Sequence, residues 1–133
     1  YAIPPSEETY GKTESIIGNW LAANPTKRAD IVLASKIAGP GFSYIRDGSY
    51  ISGKTVIKAI DDSLTRLQTD YIDLYQLHWP NRTSPHFAKH WPGRITFTDV
   101  DANAHSNQML EILQALERLI FLLIIVFQVI VIH

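Results

Sequence analysis

Two periods alternate along this chain, and the changes between them mark its elements. In "ESIIGNWLAAN" the apolar residues Ile16, Ile17, Trp20 and Leu21 recur at helical spacing, with Thr13 as the expected N-cap and Pro25 as the stop. Trp20 on that stripe reads as core. "ADIVLASK", residues 29–36, is a short β-branched and apolar run, the pattern of a strand buried on both faces. A Gly/Pro loop, "IAGPGFSYIRDGSY", follows it. From a cap at Ser52 the period becomes helical again: Val56, Ile57, Ile60, Leu64 and Leu67 form a stripe, and Lys54, Lys58, Asp61, Asp62 and Arg66 fall mostly outside it. Thr69 and Asp70 turn the chain into "YIDLYQLH", a second apolar strand over 71–78. After the long irregular "WPNRTSPHFAKHWPGRITFTDVDANAH", Ser106 caps a last helix with a stripe of Met109, Leu110, Leu113 and Leu116.

Helix, strand, helix, strand, helix, with short alternations, is the order of right-handed crossovers on a parallel sheet, so the fold class is α/β. No internal repeat or low-complexity linker divides the chain. Its 133 residues, 46% apolar and 19% charged, suit one domain with a real core, or a piece of one. Twelve basic against thirteen acidic side chains leave a charge of −1, which gives no overall pull toward nucleic acid or an anionic membrane. The lack of cysteine excludes disulfides, thiolate metal sites and a cysteine nucleophile; the cytoplasm is the default location. The chain opens on Tyr1 without an initiator methionine or a signal segment, and a missing beginning is expected. Residues 119–132, "LIFLLIIVFQVIVI", are apolar except for Gln128. The run falls short of the ~18 to 20 residues of a spanning helix, so a buried strand or an aberrant tail is expected rather than a membrane anchor.

In parallel α/β architectures the loops at the carboxyl ends of the strands build the site. Two ionisable groups stand there. Lys36 ends the first strand, with Ala34 and Val32 on its side; His78 ends the second, with Gln76 and Leu74 on its side. An ammonium and an imidazole at one mouth can stabilise charge on an oxygen and help deliver a proton to it. Three other patterns compete. "GSYISGKT", Gly48 to Thr55, has the spelling of a phosphate-cradling P-loop, but a strand should run into the first glycine and "GPGFSYIRD" lacks one. His86 and His90 have a metal-like spacing inside a Pro-bounded stretch without a third ligand, so no metal is expected. Asn81-Arg82-Thr83 is a glycosylation sequon, without a signal segment to support its use.

"LASK", "IKAIDDSLTRLQ" and "TDYIDLYQLHWP" resemble the aldo-keto reductases, in particular the subgroup with a long loop after "HWP" and a Pro-rich loop after the active-site tyrosine. "YAIPPSEETYGKTESIIGNWL" is similar to that tyrosine loop and the helix after it, and the four segments follow in order from Tyr1 to Leu116. Position by position, the resemblance implies that Tyr1 is the proton donor, Lys36 the neighbour that lowers its pKa, and His78 the group that orients and polarises the substrate carbonyl. Trp79 would line the substrate pocket. It also implies NADPH as cofactor and a small-molecule aldehyde or ketone as substrate, reduced by hydride transfer while the tyrosine protonates the alkoxide. A tyrosine ordinarily titrates at about 10, which gives a neighbouring cation its use.

The family fold is a (β/α)8 TIM barrel of roughly 200 to 400 residues, so the resemblance implies a partial, incomplete barrel. Residues 1–118 would be the reductase part, and 119–133 an apolar tail from a shifted reading frame or a mis-joined end. The aspartate that pairs with the lysine in the family falls before Tyr1, and most cofactor-binding positions fall outside the chain. Such a fragment is expected to be inactive alone. Two other readings stand beside it: a non-catalytic module that keeps part of the fold and binds a protein partner through the apolar tail, and a P-loop nucleotide-binding protein through Gly48–Thr55.

Overall fold

A computed structural model describes residues 5–79, 81 and 102–119. In chain order these form α1 (Lys12–Ala23), β1 (Ala34–Ile37), α2 (Gly53–Leu67), β2 (Leu74–Leu77) and α3 (Ala102–Leu119), with single 3-10 turns at Pro25–Asp30 and Arg46–Gly48. The two strands pair in parallel, Ala34 opposite Leu74 and Ile37 opposite Leu77, and α2 is the crossover between them. Parallel neighbours cannot be joined by a tight hairpin, which is why a whole helix intervenes.

Both strands alternate cleanly. Ile37, Tyr75 and Leu77 turn toward the helices and join Ile51, Val56, Ile60, Ile112 and Leu116 in the main buried cluster. Each aliphatic side chain fully buried there contributes about 2 kcal/mol of transfer free energy, so this face decides the register. The opposite face carries Ala34 and Lys36, which are exposed, and Leu74, Gln76 and His78, which are half-buried. Val32, in line with them, is 80% exposed. The expected strand buried on both faces is therefore covered on one, and each strand of the ladder is only four residues long, 34–37 against the predicted 29–36 and 74–77 against the predicted 71–78.

The start of α2 agrees with its sequence. The Ser52 hydroxyl accepts from the Thr55 N–H at 3.2 Å and the Thr55 hydroxyl accepts from the Ser52 N–H at 2.8 Å, a reciprocal cap. Gln68 ends the helix in the left-handed region, at φ 53°. Val56, Ile60 and Leu67 of the predicted stripe are buried, whereas Ile57 lies at its edge and is exposed.

The other two helices differ from expectation. α1 begins at Lys12 after Gly11, whose φ of 76° serves the turn, so Thr13 lies inside the helix and is not the cap. Gly18 and Leu21 are buried in α1, while Ile16 and Trp20 point outward, Trp20 with 49% exposure. The cause is Gly18: a Cβ there would stand 2.1 Å from the Arg66 carbonyl oxygen, so α1 meets α2 along its glycine. α3 starts at Ala102, before Ser106, and packs on α2 through Ile112, Ala115 and Leu116, which leaves Leu110 exposed.

A polar clamp holds the amino-terminal ends of the strands. Arg28 is buried and donates to the Thr69 hydroxyl, the Ile31 and Tyr71 carbonyls and the Asp73 carboxylate. Its guanidinium stacks 3.6 Å from the centroid of the Tyr71 ring. Asp73 also accepts from the Leu33 N–H at 2.8 Å.

Candidate active site

The candidate residues Lys36 and His78 stand at the carboxyl ends of β1 and β2. Lys36 pairs with Gln76 in the ladder, and the His78 N–H donates to the Ile37 carbonyl at 2.9 Å. Two residues on from Gln76, just past β2, the alternation of the strand carries the His78 backbone to the side of Lys36, and its ring lies 4.8 Å from that of Trp79. With strands about 4.8 Å apart and a rise of about 3.3 Å per residue, the two Cα atoms stand about 8 Å from each other. Gln76 lies between the two on the same face. It is a polar residue within an otherwise apolar strand, and that interruption was the signal for it in the sequence.

Trp79 has a second task beyond any contact with substrate. It is 5% exposed, its indole N–H donates to the Pro40 carbonyl at 3.1 Å, and it packs with Ala38, Ile45 and Phe42. A Cβ on Gly39 would lie 2.1 Å from its ring, so only glycine lets the loop after β1 lie against the indole. Asn81 makes a comparable connection further on. Its side-chain oxygen accepts from the Ile51 N–H at 2.8 Å and its amide donates to the Ile51 carbonyl at 2.6 Å. Gly39 and Asn81 had no site role in the sequence reading, since their partners are 40 and 30 positions away and only the fold brings them together.

Tyr1 lies outside the described residues, as do His86, His90 and residues 120–133 of the apolar tail. Tyr75 is the phenol closest in sequence to His78, but it belongs to the helix-facing side of the sheet. Burial, followed by the Glu14 charge, pushes its pKa up, opposed in part by Ser63 and Arg46. Among the described residues no helix is long and apolar enough to cross a membrane, and no group of three His, Asp or Glu gathers as a metal site would require.

The P-loop geometry is not formed. A 3-10 turn with Arg46 and Asp47 at φ 52° and 55° leads into Gly48, where a strand would be needed. At the start of α2, where a phosphate would sit, the Gly53 N–H donates to the Glu111 carboxylate at 3.1 Å and the Ser52–Thr55 cap engages the next donors. A fixed carboxylate already satisfies that helix terminus and repels a second anion.

A sequence profile of the Aldo/keto reductase family matches residues 8–121, and the chain belongs to that family. Together with the parallel β-α-β unit, this makes it part of a (β/α)8 barrel. It is similar to "Protein tas" of Escherichia coli, 46% identical over 92 residues, a match covering 67% of this chain and 26% of that protein. It is 42% identical over 74 residues to a 6-dehydroglucose reductase of Novosphingobium aromaticivorans, covering 54% of this chain and 22% of that enzyme. Among solved structures it resembles the holo form of the aldo-keto reductase AKR11C1 of Bacillus halodurans, at 40% identity and a TM-score of 0.41, over 50% of this chain and 22% of that one. The chain thus spans about a quarter of the length of the curated relatives it matches.

Proposed function

We propose that this chain carries the carbonyl-polarising part of an NADPH-dependent aldo-keto reductase acting on small aldehydes or ketones. The observation that supports the reading is the parallel register, in which Lys36 lies opposite Gln76 and the His78 N–H, just past β2, donates to the Ile37 carbonyl. In this proposal the His78 imidazole donates to the substrate oxygen and fixes its direction. Lys36 stabilises the phenolate of Tyr1, so that the phenol gives its proton to the alkoxide at neutral pH. Trp79 shapes the mouth through the Gly39–Phe42 loop. NADPH, when bound, supplies the hydride.

The donor set on the open face, an ammonium, a carboxamide and an imidazole, suits a carbonyl oxygen. No described residue on that face is assigned to the phosphates of the dinucleotide. The same exposure argues that the 133 residues alone are inactive. With Lys36 in water and Val32 80% exposed, a charge at the strand end is screened and far weaker than in a closed site.

The test is NADPH oxidation with a panel of aldehydes, run on this chain and on a longer chain completed at both ends to the length of its relatives. Turnover is expected only in the completed protein. There, His78→Ala and Lys36→Met should each lower kcat by about 100-fold or more, in keeping with the loss of a general acid-base or electrostatic group. Full activity in both variants would refute the assignments. A completed protein that binds a protein partner and turns over no carbonyl would favour the non-catalytic module.

A further inference from the structure

We propose that Asn81, the first residue of a stretch spelled like a glycosylation site, serves as a structural latch and a positioning residue for His78; the inference rests on the role given to His78 above. Ile51 is 1% exposed and belongs to the main core, so its backbone is a fixed point. Asn81 takes both the N–H and the carbonyl of that residue, the two bonds that a neighbouring strand would make. A glycan on the Asn81 amide would place a bulky group against this buried peptide, so latch and modification exclude each other.

The segment around His78 is tied down at every second residue. Leu77 is in the core, Trp79 is bonded to Pro40, and Asn81 is bonded to Ile51. His78 falls between these anchors and its ring lies 4.8 Å, centroid to centroid, from that of the anchored Trp79, so the direction of its imidazole follows from a backbone pinned on both sides and from the fixed indole beside it. Both downstream anchors sit on the same connection, residues 39–51, which leads from the strand end bearing Lys36 into α2. The latch therefore couples the position of His78 to that of Lys36. Without Asn81, the bond from the His78 N–H to Ile37 remains, but one of the two downstream ties is gone.

Imidazole NMR signals of this chain provide the test, with His78 assigned by its loss in His78→Gln. In Asn81→Ala the His78 ring 15N and 1H shifts should move, and exchange protection of the Ile51 amide should fall about tenfold, as the loss of paired hydrogen bonds predicts. Ile60→Val, which loosens the core elsewhere, should leave the His78 signals in place. Should Asn81→Ala not fold, Asn81→Asp keeps the acceptor for Ile51 and loses the donor, and it should still displace the His78 signals. Unmoved His78 signals in the folded Asn81 variant, or equal movement in Ile60→Val, would overturn the proposal. Since no turnover is read, failure here is distinct from failure of the reductase reading.

Discussion

At the scale of single residues, two positions show how little room the packing leaves. Gly18 has the Arg66 carbonyl 2.1 Å from where a Cβ would stand, and backbone cannot retreat as a flexible side chain can. Gly18→Ala should therefore cost about 3 kcal/mol despite the better helix propensity of alanine, read as a lower urea midpoint at constant slope. Tyr75 is the reverse case. Its hydroxyl is buried, with no hydrogen-bond partner among the described residues and Ser63 near it without completing a bond. Tyr75→Phe should be neutral or stabilising by up to about 1 kcal/mol at pH 7, because a buried hydroxyl without a partner carries a desolvation cost. Burial raises the folded pKa of Tyr75 by penalising the phenolate, so this group leaves stability independent of pH below about 10 and lowers it as pH climbs beyond. The phenylalanine variant should lose part of that alkaline decline; a loss of 2 kcal/mol at pH 7 would mean that the hydroxyl is satisfied.

At the scale of elements, α2 depends on its first turn. Ser52 and Thr55 cap each other, and Glu111 of α3 accepts from Gly53, so that terminus joins two helices. Ser52→Ala should cost about 1 kcal/mol, detected as a lower thermal midpoint. Both the stripe and the cap of α2 were legible, because the helix is strongly amphipathic and its cap lies within four residues. The stripes of α1 and α3 were only half legible. Periodicity locates an apolar face, but the contact with α2 selects which part is buried, through Gly18 in one helix and Ala115 in the other. Small residues at a close approach leave no hydrophobic signal, so Trp20 and Leu110 read as core and lie outside.

At the scale of the whole molecule, Arg28 ties three separate stretches of chain together. It is bonded to the 3-10 turn's exit at Ile31, to the turn at Thr69 and Tyr71, and to Asp73 at the head of β2. Arg28→Met should cost about 2 kcal/mol, since it strands a carboxylate while keeping the aliphatic bulk. The Leu33 N–H first, and then Arg28 against an opposing burial effect, hold the Asp73 carboxyl below its ordinary range near 3.8. Its contribution is therefore present above about pH 3.8 and is lost as pH falls through the lowered value. Asp73→Asn should flatten the acid limb of a stability profile below pH 4; an unchanged limb would show that other carboxylates govern it.

The order of elements, the parallel pairing and the placement of Lys36 and His78 at strand ends were all decided within the sequence, because alternation and capping act over a few residues. The two-residue period also put Gln76 and His78 on one side of β2 without any reference to the rest of the chain. Only the tertiary structure decided that the side bearing Lys36 and the side bearing His78 are the same face, since strand register depends on α2 burying Ile37 and Leu77 together. It alone revealed the ties from Trp79 to Pro40 and from Asn81 to Ile51, in which residues about 30 to 40 positions apart meet through backbone groups that every residue possesses and no sequence pattern marks.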